Sequence, residues 1–274
     1  MPNGDRDGGP DNTRRTLLGL MGSSLLMLPS TTQASPEGGA PALPPRRPRD
    51  VGRKFWPDGR VKPFPGNTII CHLPQQGEHA EAFNALLDIY REAPAHAFSR
   101  KITLLPPSSY HATIFGGAND AERKPGLWPG TIPLDTPMEE CNRLLGERLR
   151  AFKLECALPL RMTVDLAEPA AGEGPLTIRL LPVNNAEERK LRDLRDRLST
   201  CLDIRAPDHD RYRFHITIAY QMDWLTAEED GVFRDLLRQW KLGLRQASPE
   251  ILLGAPEYCT LKDMFAFNRQ FFLG

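Results

Sequence analysis

Two histidines of this chain stand in nearly the same setting. "YHATI" places His111 two residues before Thr113, and "FHITI" places His215 two residues before Thr217. In each copy an aromatic residue precedes the histidine and an isoleucine follows the threonine: Tyr110 and Ile114, then Phe214 and Ile218. In an extended strand, alternation sends the histidine and threonine to one face and their aromatic and aliphatic neighbours to the other. One such copy reads as a histidine satisfied beside a sheet. Two copies, one in each half of the chain, read as a shared site. A pair of imidazoles suits proton transfer near neutral pH, because one neutral ring accepts a proton while the other, charged, donates one. Threonine hydroxyls on the same face suit hydrogen bonding to oxygens on which negative charge builds up.

Further candidates follow from the same register. Arg213 shares the face of His215, where a guanidinium would contact a phosphate or the far end of a substrate. Ser109 holds the equivalent place beside His111. Phe115 falls on the His111 face and is a candidate to stack on a base. Tyr110, Phe214, Ile216, Ile218 and Tyr220 fall on the core face. His72, His79, His96 and His209 lack the motif and read as incidental, and Trp56, Trp128, Trp224 and Trp240 read as packing residues. Five cysteines are scattered without a CxxC or Cys/His ligand spacing, so no metal site and no cofactor is expected. Their pairing is not readable from the sequence.

The elements that must position these residues alternate along the chain. Strands are expected at "NTIICHL" (67–73), "RKITLL" (100–105), "YHATIFGG" (110–117), "LPLRMTVDLA" (158–167), "PLTIRLLPV" (175–183) and "YRFHITIAY" (212–220). Two closing strands are expected near "PEILLGAPEYCTLKD" and "MFAFNRQFFL". Helical periodicity marks "EHAEAFNALLDIYREA", "PMEECNRLLGERLRAF" with Pro137 near its start, "NAEERKLRDLRDRLSTCL" capped by Asn184 or Asn185, and "TAEEDGVFRDLLRQWKLGL". The last opens on a capping box from Thr226 to Glu229. A polar loop from Ala118 to Asp135 separates the halves. The order predicts an α+β domain of two similar lobes, each a small, mostly antiparallel sheet with helices on one side.

Lys+Arg and Asp+Glu each total 35, so the formal net charge is zero. This does not indicate a strongly basic nucleic-acid binder, but it leaves room for a short substrate in a locally basic cleft. The first 34 residues read as a processing segment rather than fold. Arg14 and Arg15 precede an apolar run from Leu17 to Leu28, and "TQAS" offers a small-residue cleavage site after Ala34. This resembles a twin-arginine export signal. The apolar run is about twelve residues, short of the roughly 20 that span a bilayer. The expected organisation is a signal peptide at 1–34, a Pro/Gly-rich linker and leader at 35–62, and one domain at 63–274. The expected route is twin-arginine-type export to the periplasm or exterior, with the export machinery as a partner and no membrane association after cleavage.

Two H-x-T motifs in paired lobes resemble the 2H phosphoesterase superfamily, which includes bacterial RNA 2′,3′-cyclic phosphodiesterases. The resemblance covers most of the chain from about Phe64 onwards. "FPGNTIICHL" and "LPPSSYHATIFGG" are more specifically similar to a branch described as a bacterial and fungal domain of unknown function. The resemblance implies a two-lobed 2H phosphoesterase-like α+β fold, with mostly antiparallel sheets and flanking helices around a central cleft and the two motif strands side by side at its base. It implies a metal-independent phosphodiesterase that opens a 2′,3′-cyclic nucleotide, an RNA end or a similar cyclic phosphodiester. The catalytic residues would be His111, Thr113, His215 and Thr217, with Arg213, Ser109 and Phe115 binding substrate. A non-catalytic nucleotide or oligonucleotide-binding module using the same cleft is the alternative.

Overall fold

A computed structural model describes residues 47–167 and 176–274. The signal-peptide expectation and most of the linker lie outside the described residues. The chain runs β1 (Gly66–His72), α1 (Glu81–Glu92), β2 (Ile102–Leu104), β3 (His111–Asn119), α2 (Met138–Ala151), β4 (Leu160–Val164), β5 (Thr177–Pro182), α3 (Asn185–Leu202), β6 (His215–Thr217), β7 (Ala219–Gln221), α4 (Ala227–Ala247), β8 (Ile251–Leu253), β9 (Glu257–Leu261) and β10 (Phe267–Phe272). Among the described residues, no helix is long and apolar enough to cross a membrane.

Local chemistry explains the helix boundaries. The Asn184 side chain accepts from the Ala186 and Glu187 amides and so satisfies two otherwise unpaired donors at the start of α3. Thr226 and Glu229 bond reciprocally as the capping box of α4. α1 has no side-chain cap and is held by its apolar face, where Ala82, Phe83, Leu86 and Ile89 are buried.

The two expected sheets are one. Eight strands run in the order β10-β9-β1-β3-β6-β5-β4-β8, all of their pairings antiparallel, and β2 and β7 form a separate pair. Each half contributes four strands, and the halves join where β3 meets β6 at Ala112 and Ile216. α2 packs against β1 and β9, and α3 against β3, β4 and β5. Tyr110, Ala112, Ile114, Phe214, Ile216 and Ile218 are buried beneath the joint. Each fully buried side chain of the larger kind contributes about 1.5–3 kcal/mol, so this face anchors the two motif strands.

Two expectations are corrected. The C-terminal part forms three strands rather than two, because the Gly254–Pro256 break separates β8, which closes one edge on β4, from β9, which returns to β1 in the first half. The stretch 212–220 is not one strand either. It divides at Ile218, whose amide bonds to the Leu176 carbonyl and whose carbonyl accepts from Leu105. β7 then leaves the main sheet to pair with β2.

Candidate active site

β3 and β6 lie side by side, so each motif faces the other. With Ala112 opposite Ile216 in antiparallel register, His111 stands opposite Thr217 and Thr113 opposite His215. All four side chains line one cleft of about 250 Å³. The backbone fixes both imidazoles in the same way. His111 Nδ1 lies 2.7 Å from the Ser109 carbonyl, and His215 Nδ1 lies 2.8 Å from the Arg213 carbonyl. A carbonyl only accepts, so each Nδ1 carries the hydrogen and each neutral ring keeps its lone pair on Nε2.

Alternation fails at the same step in both motifs. In β3 the pairing to β1 slips between Ile69 opposite Phe115 and Ile70 opposite Thr113, which leaves Ile114 as a bulged residue. Ile114 and Phe115 are both buried, and the next residue, Gly116, returns to the cleft. In the second copy Ile218 and Ala219 are both buried, and Tyr220 returns to the cleft. Phe115 therefore does not face the cleft. Its ring packs below the Arg195 guanidinium, 5.6 Å away, and against His209. Tyr220, expected in the core, is a cleft residue for the same reason. Beyond the bulge the first strand lies tight on β1. A Cβ on Gly117 would overlap Asn67 Oδ1, and that oxygen accepts from the Ala118 amide.

The leader reaches the cleft as well. Lys54 Nζ donates to the Tyr220 hydroxyl at 3.1 Å, stands over the Tyr220 ring and lies 3.7 Å from Asp50. Phe55 anchors this segment, fully buried against Tyr220 and Phe265. Lys54 thus sets a positive charge in the cleft that holds both histidines.

The two imidazoles have different surroundings. His111 packs against Phe267, with ring centroids 4.2 Å apart, and against His72, at 6.2 Å. Burial lowers its pKa to about 4. The Ser109 carbonyl and Glu257 oppose this, while charge on His72 and His215 adds to it. His72 is the cross-strand partner of His111 and bonds through Nδ1 to Glu257 at 2.9 Å. Burial pushes the Glu257 carboxyl up, but the His72 bond and charge together with Arg269 outweigh it and hold it below its ordinary value. His215 is also lowered, first by burial and then by the charges of Lys54 and Arg179, against the Arg213 carbonyl. Tyr212, whose hydroxyl lies within hydrogen-bonding reach of Thr113, is pushed up to about 12, chiefly by burial.

The structure brings together His111, Thr113, His215 and Thr217. Arg213 is exposed and borders a second cavity shared with His215. The Ser109 side chain does not reach the cleft: it is buried, and its hydroxyl donates to the Pro106 carbonyl. Both residues meet the motif histidines through their backbone carbonyls, which register reasoning about side chains misses. Lys54, Tyr220 and the His72–Glu257 pair were missed too. A strand ending in histidine was visible in "NTIICHL", but its partner strand was not. His72, Glu257 and Cys259 set three donor atoms within 4.8 Å of one another. Arg269 stands 3.6 Å from Glu257, and burial pushes the Cys259 thiol up to about 12, so the group is an internal ion pair rather than a ligand set.

Comparison with known proteins bears on the fold and the family. Residues 54–173 match the model of the family 2H-phosphodiest, described as a domain of unknown function (DUF1868). That match contains the first motif, and the second lies beyond it. The crystal structure of a conserved protein of unknown function from Agrobacterium tumefaciens str. C58 is similar at a TM-score of 0.76 and 28% identity, over 84% of this chain and 94% of that one. A protein of Thermus thermophilus covers 76% of this chain and 97% of its own at 18% identity, but its TM-score of 0.40 carries no argument. No curated protein matches.

Proposed function

We propose, for a chain whose residues 54–173 fit a 2H phosphoesterase superfamily domain of unknown function, that it is a phosphodiesterase that opens a 2′,3′-cyclic nucleotide or a similar cyclic phosphodiester. The observation that carries this reading is the pair of motif histidines in one cleft, each tethered at Nδ1 and so left with Nε2 for chemistry. His111, with its pKa lowered further, is the base: Nε2 takes a proton from water as the water oxygen attacks phosphorus. His215 is the acid: it gives its Nε2 proton to the ribose oxygen as the P–O bond breaks, which leaves a phosphate monoester. A bound phosphodiester anion offsets the cations around His215 and restores its proton. Thr113 and Thr217 donate to the non-bridging oxygens, and Lys54 adds charge. Each positioned acid or base supplies roughly 10²–10⁴-fold.

The test is ring opening of the four 2′,3′-cyclic mononucleotides in EDTA, followed by phosphorus NMR, for the wild type, His111→Ala and His215→Ala. Opening that needs both histidines is expected. Undiminished opening in either variant would sink the assignment, and inhibition by EDTA would remove metal independence. A folded protein that opens nothing yet is stabilised by nucleotides would fit the binding-module alternative. Twin-arginine export of the chain belongs to the same reading, and cell fractionation checks it.

A further inference from the structure

Behind His215 lies a second cavity of about 520 Å³, wider than the cleft that holds the motifs. Four arginines line it, Arg49, Arg179, Arg211 and Arg213, against one carboxylate, Asp208, among the described residues. Three different parts of the chain converge there. Arg179 on β5 is the cross-strand partner of His215, which puts it on the same face of the sheet. Arg213 precedes His215 by two residues, about 7 Å along the strand. Arg211 ends the short helical turn 209–211, and Arg49 comes from the leader. Arg49, Arg211 and Arg213 are exposed. The charge of Arg213 bears on the partly buried Arg179, with Asp165 only partly opposing it. Gathering like charges in this way costs energy that a bound anion repays.

We infer that this cavity is a second phosphate subsite, and that the substrate therefore carries a second phosphate group beyond the cyclic phosphodiester. Planar guanidinium forks match the oxygens of a phosphate, singly or in pairs. His215 borders both cavities, so the two anions lie on either side of one imidazole, a span that a nucleoside phosphorylated at both ends fits. The second phosphate is either a terminal monoester or the phosphodiester of a preceding nucleotide. The inference rests on the phosphodiester reading for the first phosphate, but its test needs no turnover.

The full chain is titrated calorimetrically with three stable ligands at low salt. These are uridine 3′-monophosphate, uridine 3′,5′-bisphosphate, and a uridine dinucleotide ending in a 3′-phosphate. The bisphosphate and the dinucleotide are expected to bind roughly ten- to a hundredfold more tightly than the monophosphate, with a gap that narrows as salt is added. Arg211→Met should narrow that gap about tenfold, and Arg49→Met with Arg211→Met should close it. Thermal melting checks that the variants are folded, which their exposed positions favour. A dinucleotide that binds tighter than the bisphosphate identifies a chain phosphodiester, and the reverse identifies a terminal monoester. No gap in the wild type, including no binding of any ligand, overturns the subsite, and so does a gap that survives in the double variant. A preserved gap without ring opening of cyclic nucleotides would instead overturn the phosphodiesterase reading and leave the subsite standing.

Discussion

On one side of the cleft the cross-strand neighbour of His111 is His72, paired to the buried Glu257; on the other, the same neighbour position beside His215 holds Arg179. The backbone treats the two histidines alike, with an Nδ1–carbonyl bond two residues back in each case. Their neighbours do not. Phe267 and His72 close in on His111, whereas His215 opens onto a second, arginine-lined cavity. The difference teaches how a near-symmetric pair divides its labour. Shared backbone geometry supplies two equivalent rings, and the flanking strands then bias one toward accepting a proton and leave the other near the substrate's charge.

The most forceful way to break that comparison is to remove the rings one at a time. His111→Ala and His215→Ala should each slow cyclic phosphodiester opening by roughly 10²–10⁴-fold. The roles separate with a p-nitrophenyl phosphodiester, whose leaving group needs no acid. His215→Ala should recover most of its loss on that substrate, and His111→Ala should not. Recovery by His111→Ala instead would exchange the two roles.

Lys54 comes next in size. Lys54→Met should lower kcat/KM by about 10–100-fold, the worth of a charged hydrogen bond to the substrate. It should also raise the His215 pKa, because the ammonium lowers it. NMR titration of the ring protons reads that shift directly. A fall in kcat/KM without it would leave Lys54 as a structural clasp on Tyr220.

Much of this was legible in the sequence, and the part that was not has a common cause. The motif strands, the helix caps at Asn184 and Thr226, and the four residues His111, Thr113, His215 and Thr217 follow from local patterns, which period and capping chemistry determine. The same local rule misplaced Phe115 and Tyr220, because a bulge at Ile114 and a strand break at Ile218 each shift the register by one residue. Such a slip exchanges the faces of every residue beyond it. Lys54, His72 and Arg179 reach the cleft through pairings distant in sequence, which no window along the chain contains. "TIRL" did place Thr177 and Arg179 on one face, but nothing in it says that this face adjoins Thr217 and His215.

The His72–Glu257 pair offers a smaller, sharper test. Glu257 is 4% exposed, and removal of His72 leaves its carboxylate with Arg269 at 3.6 Å as its remaining charged partner. His72→Asn should cost about 1–3 kcal/mol of stability, the penalty for a buried polar group that loses its partner. The His111 pKa should rise, since charge on His72 holds it down. An unmoved His111 would mean that burial alone sets its value and that the flanking strand does not tune it.

The smallest expected effect lies in stability against pH, where the two halves should differ in degree but not in sign. The folded-state pKa of His111 is about 4, against an ordinary value of 6.5. Between those values the unfolded chain binds a proton that the folded chain refuses, so folding is penalised as pH falls through this window. Above it, both states are neutral and the penalty vanishes. His215 is shifted in the same direction, so it too costs stability on the acid side. Asparagine at either position removes a ring that must otherwise stay neutral. Melting temperatures taken at pH ~7.5 and at pH ~5, on either side of the ordinary histidine pKa, should therefore show each variant gaining on the wild type at the lower pH. The gain should be greater for His111→Asn than for His215→Asn, because His111 is the more enclosed ring. Equal gains would mean that the two sides of the cleft desolvate their histidines equally, and the division into base and acid would then have to rest on the arginines and Lys54 alone.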